Sequence, residues 1–204
     1  WATYEFIPGL KYKFNMGVDM YRYMEQGYIA DYTIPYETHS PDEYNMKSER
    51  RNRFLYENTL SYDKVFGKHN LSALIGVTSE ETKFLAHNGG ARAMPSPNIL
   101  ILGSTQKNDS KVVGSDIARS SMFSLLGRVN YSYDSKYMMT VNFRRDGSSN
   151  FSKNNRYGNF PAVSAAWRMS QEKFMQGIEW ITDLKLRASW GMLGNSLIDP
   201  YQYE

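Results

Sequence analysis

Three histidines, His39, His69 and His87, are the natural first candidates for a metal site, and they lie far apart in the sequence. Metal ligands usually recur at short spacings such as i, i+2 or i, i+4, and no such pair exists here. The chain has no cysteine, which removes thiolate ligands and disulfides together. Two adjacent carboxylate pairs, Asp42-Glu43 and Glu80-Glu81, could do acid and base work, but read more simply as solvated loop edges. No phosphate-binding glycine loop and no nucleophile elbow occurs. No catalytic residue, metal or cofactor is therefore expected. The cluster Arg50, Arg51 and Arg53, with Tyr44, Phe54 and Tyr56 nearby, could hold an anion. Its plainer reading is a membrane-edge cluster facing lipid phosphates or solvent, and a net charge of +3 is too small to point to nucleic acid.

One further group could contact a substrate. A tyrosine ring can stack on a sugar, and amides and guanidinium groups donate hydrogen bonds to hydroxyls, so Asn150, Asn154, Asn155, Arg156 and Tyr157 are candidate substrate-binding residues. The same stretch has a structural reading. Arg144, Arg145 and Asp146, followed by Gly147-Ser148-Ser149, could form a charge-paired corner that shapes a loop, with glycine permitting the turn. The corner is the preferred reading, and the ligand role stays open beside it.

The elements that must carry these residues are strands. From Leu10 the even positions read Leu10, Tyr12, Phe14, Met16, Val18 and Met20, against Lys11, Lys13, Asn15, Gly17 and Asp19. Strict period two describes a strand with one apolar and one polar side. The pattern recurs around 54–62 and 71–78, with Leu55, Asn58 and Leu74 out of phase, and then over 123–133, 137–144, 161–169 and 184–190. With a weaker stretch at 2–7, eight strands are expected. Thirty of the 204 residues are Phe, Trp or Tyr, yet mean hydropathy is −0.58. The longest apolar run, Ile99 to Leu102, is far short of the roughly 20 residues of a spanning helix. Aromatic and branched residues are also too frequent for a disordered chain.

Connection lengths alternate. Pro8-Gly9, Asp63 to Lys68 and Asp134 to Lys136 are short and rich in turn residues, whereas 25–51, 83–120 and 147–157 are long and polar. A further connection, Ser170 to Asp183, is expected to hold a small helix capped by Ser170. Up-and-down membrane barrels have short turns at one end and long loops at the other. Strands of ten residues or more suit a tilted membrane crossing of roughly 9–11 residues. Tyr62, Phe66, Tyr131, Tyr133 and Tyr137 gather beside the short turns, as rings of an interfacial girdle would.

A specific resemblance then comes into view. Gly127-Arg128-Val129-Asn130-Tyr131-Ser132-Tyr133 with Lys136-Tyr137, then Arg144-Arg145-Asp146-Gly147-Ser148-Ser149 with Phe151, resembles the SusC/RagA family of TonB-dependent outer-membrane receptors. Arg156-Tyr157-Gly158, Phe160-Pro161, Ser164 to Arg168, Phe174-Met175, Asp183 to Gly191 and Gly194-Asn195 follow in that family's order. Tyr62-Asp63 and Phe66 to Leu71 are similar to an earlier hairpin of the same barrel. The motifs span about residues 62 to 195, and residues 1 to 60 match in style alone.

The resemblance implies an all-β, antiparallel, up-and-down transmembrane β-barrel, here incomplete. About eight strands of a larger barrel would occupy residues 1–204, since outer-membrane transporters of about 22 strands close around a plugged lumen. A start at Trp1 without an initiator Met or signal region fits a piece of a longer protein, with the N-terminal plug and signal sequence outside it. Family membership further implies a bacterial outer-membrane location and a transporter, not an enzyme. It would import oligosaccharide or peptide substrate with a SusD-like surface lipoprotein lid and with energy from the TonB complex, through parts outside this chain. The long loops 25–51 and 83–120 are better candidates for substrate or lid contact than the motif residues. Two rivals make distinct demands. A complete eight-stranded barrel, serving as anchor or adhesin, needs its first and last strands paired. A soluble carbohydrate-binding sandwich needs Met16, Val18, Ile75 and Val141 in one dry core.

Overall fold

A computed structural model of the 204-residue chain describes residues 1–105, 111–175, 177, 178 and 180–195. Ten strands follow in order: β1 (Ala2–Ile7), β2 (Leu10–Ile29), β3 (Tyr32–Ile34), β4 (Glu37–His39), β5 (Glu43–Phe66), β6 (His69–Arg92), β7 (Lys111–Tyr133), β8 (Tyr137–Ser148), β9 (Tyr157–Arg168) and β10 (Lys185–Gly191). Eight of them form one sheet in the order β1-β2-β5-β6-β7-β8-β9-β10, while β3 and β4 pair as a separate hairpin. Neighbours in the sheet are neighbours in the chain apart from that inserted hairpin, which is the up-and-down topology expected. β1 and β10 each have one partner, so the eight strands do not close on themselves as the small-barrel rival requires.

The short turns follow local chemistry. At Pro8-Gly9 the glycine sits at φ +88, which a side chain would resist. A Cβ there would also meet the carbonyl oxygen of Asp63, whose amide donates to the Gly9 carbonyl at 2.9 Å. Asp134 and Ser135 occupy φ 51 and 55, the left-handed pair of a hairpin turn that matches strand twist. The connection expected at 63–68 is shorter than that, because β5 continues to Phe66 and only Gly67-Lys68 turn.

Four expectations are corrected. The long loops at 25–51 and 83–120 are largely strand: β2, β5, β6 and β7 run 20 to 24 residues, leaving 30–42, with its hairpin, and, among the described residues, 93–105 outside the sheet. Alternation fails in these extensions because polar residues lie on both sides there, whereas the backbone ladder that defines a strand is indifferent to side chains. The third, 147–157, shrinks to 149–156. The small helix expected after Ser170 takes 3-10 form, and Ser170 does not cap it. Two 3-10 turns, Met169–Gln171 and Lys173–Met175, make it up, and Ser170 lies inside the first of them, with its hydroxyl 3.1 Å from Asp183 Oδ1.

The chain divides into two compact units. Unit 1 comprises residues 1–17, 54–81 and 120–204, and unit 2 comprises 18–53 and 82–119. In unit 1, register fixes which residues share a side. Val129 faces Val141, which faces Val163, while Asn130 faces Thr140 and Ser164. Across β7, β8, β9 and β10 one side therefore carries Tyr131, Met139, Val141, Phe143, Val163, Ala165 and Trp190, and the other Ser124, Arg128, Asn142, Lys185 and Arg187. The apolar side is open. Among the described residues no apolar side chain of unit 1 is buried, and Met16, Val18, Ile75 and Val141 are 48, 47, 62 and 43% exposed. A sandwich would bury these four, so that rival fails. An apolar surface of this extent is stable against lipid and not against water.

In unit 2, Tyr44, Ala91 and Met94 form a small core, with Tyr28, Met46, Leu100 and Leu102 packed around it. It pins the connection after β6 onto the strand ends.

Candidate functional site

The rings beside the short turns form one contact chain. His69 stacks on Phe66 at 5.1 Å and approaches Tyr133 at 4.9 Å, and the Tyr131 hydroxyl lies 2.7 Å from His69 Nδ1. Tyr133 then stacks on Tyr137 at 6.5 Å, and Trp167 meets Phe174 edge-on. Rings with polar tips at one end of an apolar band are suited to a lipid headgroup boundary. At the opposite end of β8, Arg145 lies over the Tyr157 ring at 4.8 Å. On that strand Tyr137 and Arg145 thus bracket five outward positions, about nine residues, as a membrane crossing needs.

Glu172 anchors the girdle from the turn after β9. Its Oε1 accepts hydrogen bonds from the Tyr137 hydroxyl at 2.7 Å and from Trp167 Nε1 at 3.2 Å, and Lys136 Nζ lies 3.6 Å from Oε2. These bonds, the Tyr137 one foremost, hold the carboxyl below its ordinary value. A depressed carboxyl stabilises the fold above its unfolded pKa, and that contribution is lost as pH falls through the folded value. Trp167 fluorescence is therefore expected to change on acidification below about pH 4, and to lose that transition in Glu172→Gln. A transition of equal size in the variant would assign it to another group.

The motif stretch folds as a corner. Arg144 Nε reaches both oxygens of Asp146 at 2.6 and 2.8 Å, and its Nη2 lies 3.2 Å from the buried Ser124 hydroxyl. The Ser148 amide donates to the Arg156 carbonyl, the Ser149 amide to the Ser121 carbonyl, and the Ser121 amide to Ser149 Oγ. The Asn150 amide donates to Ser148 Oγ at 3.2 Å. Gly147 is required because the Tyr157 ring occupies the space of its missing Cβ. These bonds support the charge-paired corner.

Of the five candidate substrate residues, Asn155, Arg156 and Tyr157 line a groove of about 340 Å³ with Arg144, Phe151 and Phe160. Asn150 and Asn154 do not line it, and the Tyr157 ring is engaged with Gly147 and Arg145. Arg156 Nε is buried without a hydrogen-bond partner.

The arginine cluster does not assemble into one anion site. Adjacent strand residues point to opposite sides, which separates Arg50 from Arg51 and Arg53. Arg51 packs over the Tyr21 ring at 5.3 Å, and Tyr44 is buried in the core of unit 2. Asp42 is not the solvated loop edge expected. It is buried, its Oδ2 accepts from the Tyr28 hydroxyl at 2.9 Å, and its Oδ1 accepts from the Met94 amide at 3.0 Å. Its acidity gave no hint of this, because the partners are 14 and 52 residues away. A larger groove of about 740 Å³ lies in unit 2, within segments read from the sequence as loops. Among the described residues no group of three or more His, Asp or Glu could hold a metal ion.

No family model matches the chain. Over 99% of its length it is 37% identical to TonB-dependent receptor P3 of Formosa agariphila. Over 42% of its length it is 42% identical to TonB-dependent receptor SusC of Bacteroides thetaiotaomicron. Among solved structures, that of the RagAB peptide importer in its closed-closed state superimposes with a TM-score of 0.90 over 99% of this chain, at 26% identity. The RagAB peptide transporter gives 0.88 over 97%, at 27% identity. The chain spans 20% of the P3 receptor, 9% being matched in SusC, and 22% of each RagAB chain.

Proposed function

The chain belongs to the SusC/RagA type of TonB-dependent receptors, and on that premise we propose that it is a stretch of barrel wall in an outer-membrane importer of oligosaccharides or peptides. The observation that carries the reading is the register of β7 to β10. It gives the sheet one exposed apolar side, suited to lipid, and one polar side, suited to a lumen, with rings gathered beside the short turns. In this reading the short turns face the periplasm and the long strand ends face outward, where a SusD-like lipoprotein closes over the cargo. The plug and the segment that engages the TonB complex come from receptor sequence beyond these 204 residues. Cargo crosses chemically unchanged, so no residue here acts as a catalyst.

Asn155 and Arg156 are the motif residues best placed to touch cargo, with Asn150, Asn154 and Tyr157 as further candidates. Arg156→Gln separates contact from corner. A contact role predicts cargo affinity several-fold lower with the melting midpoint of the full receptor unchanged. A corner role predicts the reverse.

The reading is tested by uptake into cells that carry or lack the full receptor gene. Fluorescently labelled maltoheptaose and labelled casein peptides are supplied separately. Accumulation of at least one is expected to need the receptor and to stop when a protonophore collapses the proton gradient. Accumulation independent of the gene, or indifferent to the protonophore, overturns the proposal.

A further inference from the structure

The groove of about 740 Å³ in unit 2 crosses four strands, β2, β5, β6 and β7. Its shape comes from residues without side chains. Gly27 on β2, Gly90 on β6 and Gly114 on β7 all line it, and a Cβ built at Gly27 or Gly114 meets nothing within 4 Å. None of the three has a left-handed backbone, so turn geometry does not account for them. Glycine in a strand interior costs stability and often marks close approach by another backbone. Gly27 and Gly114 leave open the floor of a single trough whose volume suits a small ligand, and Gly90 makes room for the Asn45 carboxamide, whose Oδ1 lies 2.9 Å from where a Cβ would stand.

The walls carry both charges and amides. Glu25 and Glu43 supply carboxylates, Lys47 and Arg92 cations, and Asn45 and Asn88 carboxamides. The charges are held in local contacts: the Tyr23 hydroxyl donates to Glu25 at 2.9 Å, Lys47 lies 2.7 Å from Glu49, and Arg92 lies 3.3 Å from Glu43. Lys47 and Arg92 remain largely exposed, and exposed pairs of this kind exchange partners at little cost. Among the described residues no Phe, Tyr or Trp lines the groove.

This chemistry selects among cargo classes. A sugar ring offers hydroxyls and an apolar ring side, and its binding sites ordinarily supply an aromatic plate. That plate is missing. An extended peptide offers alternating N–H and C=O groups, which a carboxamide can meet with both its donor and its acceptor. Its termini and charged side chains meet carboxylates and cations. Three interstrand spacings of about 4.8 Å give room for about four residues of extended chain. We propose that this glycine-floored groove binds a short, extended segment of a peptide cargo. The proposal rests on the importer reading and narrows it to peptides at this surface.

The test fills the trough without touching its charges. Gly114→Trp and Gly27→Trp put a large ring into open space at positions where the backbone accepts a side chain, and Gly114→Ala is the small control. Binding of a defined casein tryptic digest and of maltoheptaose is measured by calorimetry on the full detergent-solubilised receptor. Folding is checked by the mobility difference between unheated and heated samples. The expected result is that each Trp variant stays folded and binds the peptides at least tenfold more weakly, while Gly114→Ala binds within about twofold of wild type. Peptide affinity unchanged in both folded Trp variants overturns the groove and leaves the importer reading standing. Maltoheptaose binding that the Trp variants abolish overturns the peptide class. Should both Trp variants misfold, Arg92→Gln and Glu25→Gln take their place, with the same decision resting on peptide affinity. A wild-type receptor that binds neither probe and imports neither into cells overturns the importer reading itself.

Discussion

Val141→Arg is expected to prevent assembly of the full receptor in the outer membrane. Val141 lies midway along the outward positions of β8 between Tyr137 and Arg145, pairs with Val129 and Val163, and is 43% exposed. At mid-depth on the lipid side of a barrel an arginine costs about 2–4 kcal/mol. That is a large part of the 5–15 kcal/mol by which a typical fold is stable. Thr140→Arg, one residue earlier, is the control. Thr140 shares the polar side with Asn130, whose Oδ1 accepts from its hydroxyl at 2.9 Å, so this variant loses about 1 kcal/mol and keeps its charge in water. The measurement is the amount of each variant in purified outer membranes, with the electrophoretic shift on heating. If Val141→Arg assembles to the level of Thr140→Arg, the apolar side is covered by protein and the membrane reading is wrong.

The fold was legible wherever one side of a strand is apolar and the other polar. Between Tyr131 and Tyr133 on β7, and along β8 and β9, every alternation read from the sequence reappears as a side assignment in the register. The residues out of phase are informative too. Leu55 is not an error in the pattern: it lies against Gly17 on the polar side, at 3.4 Å from the position of a Cβ there. The strand ends beyond the apolar band were illegible for a physical reason. Where polar residues occupy both sides, as from Ser48 to Arg53, no periodicity distinguishes the strand from a loop, and the backbone pairing that makes it a strand leaves no trace in side-chain type.

The candidate site was legible in part. Arg144, Asp146 and Gly147 form the corner their types suggested, because glycine and an adjacent charge pair act locally. The groove in unit 2 was missed because its glycines, Gly27, Gly90 and Gly114, are dozens of residues apart and become one surface only when four strands align. A glycine in each of several polar stretches is the signal that could have found it. Tyr157 shows what register adds to residue type. Its type suits a sugar, and strand register packs its ring against Gly147 and Arg145.

Asp42→Ala is expected to release the connection after β6 while leaving the barrel wall intact. One aspartate holds three segments together: its Oδ2 accepts from the Tyr28 hydroxyl at the end of β2, its Oδ1 accepts from the Met94 amide, and its backbone carbonyl accepts from the Ala93 amide. Hydrogen bonds to a charged acceptor contribute about 1.5–3 kcal/mol each, and a buried donor stranded without its partner costs about 1–3 kcal/mol. The alanine variant strands the Met94 amide beside the core of Tyr44, Ala91 and Met94, so a local loss of about 2–4 kcal/mol follows. Because Asp42 and its partners all lie in unit 2, the loss is confined there. Hydrogen exchange at Ala93 and Met94 is expected to accelerate by about one and a half to three orders of magnitude, in keeping with about 1.4 kcal/mol per factor of ten, while amides of β8 exchange at the wild-type rate. Asp42→Asn, which keeps an oxygen for Met94, is expected to accelerate exchange about tenfold or less. Unchanged exchange at Met94 in the alanine variant would mean that side-chain packing, not this carboxylate, holds the connection in place.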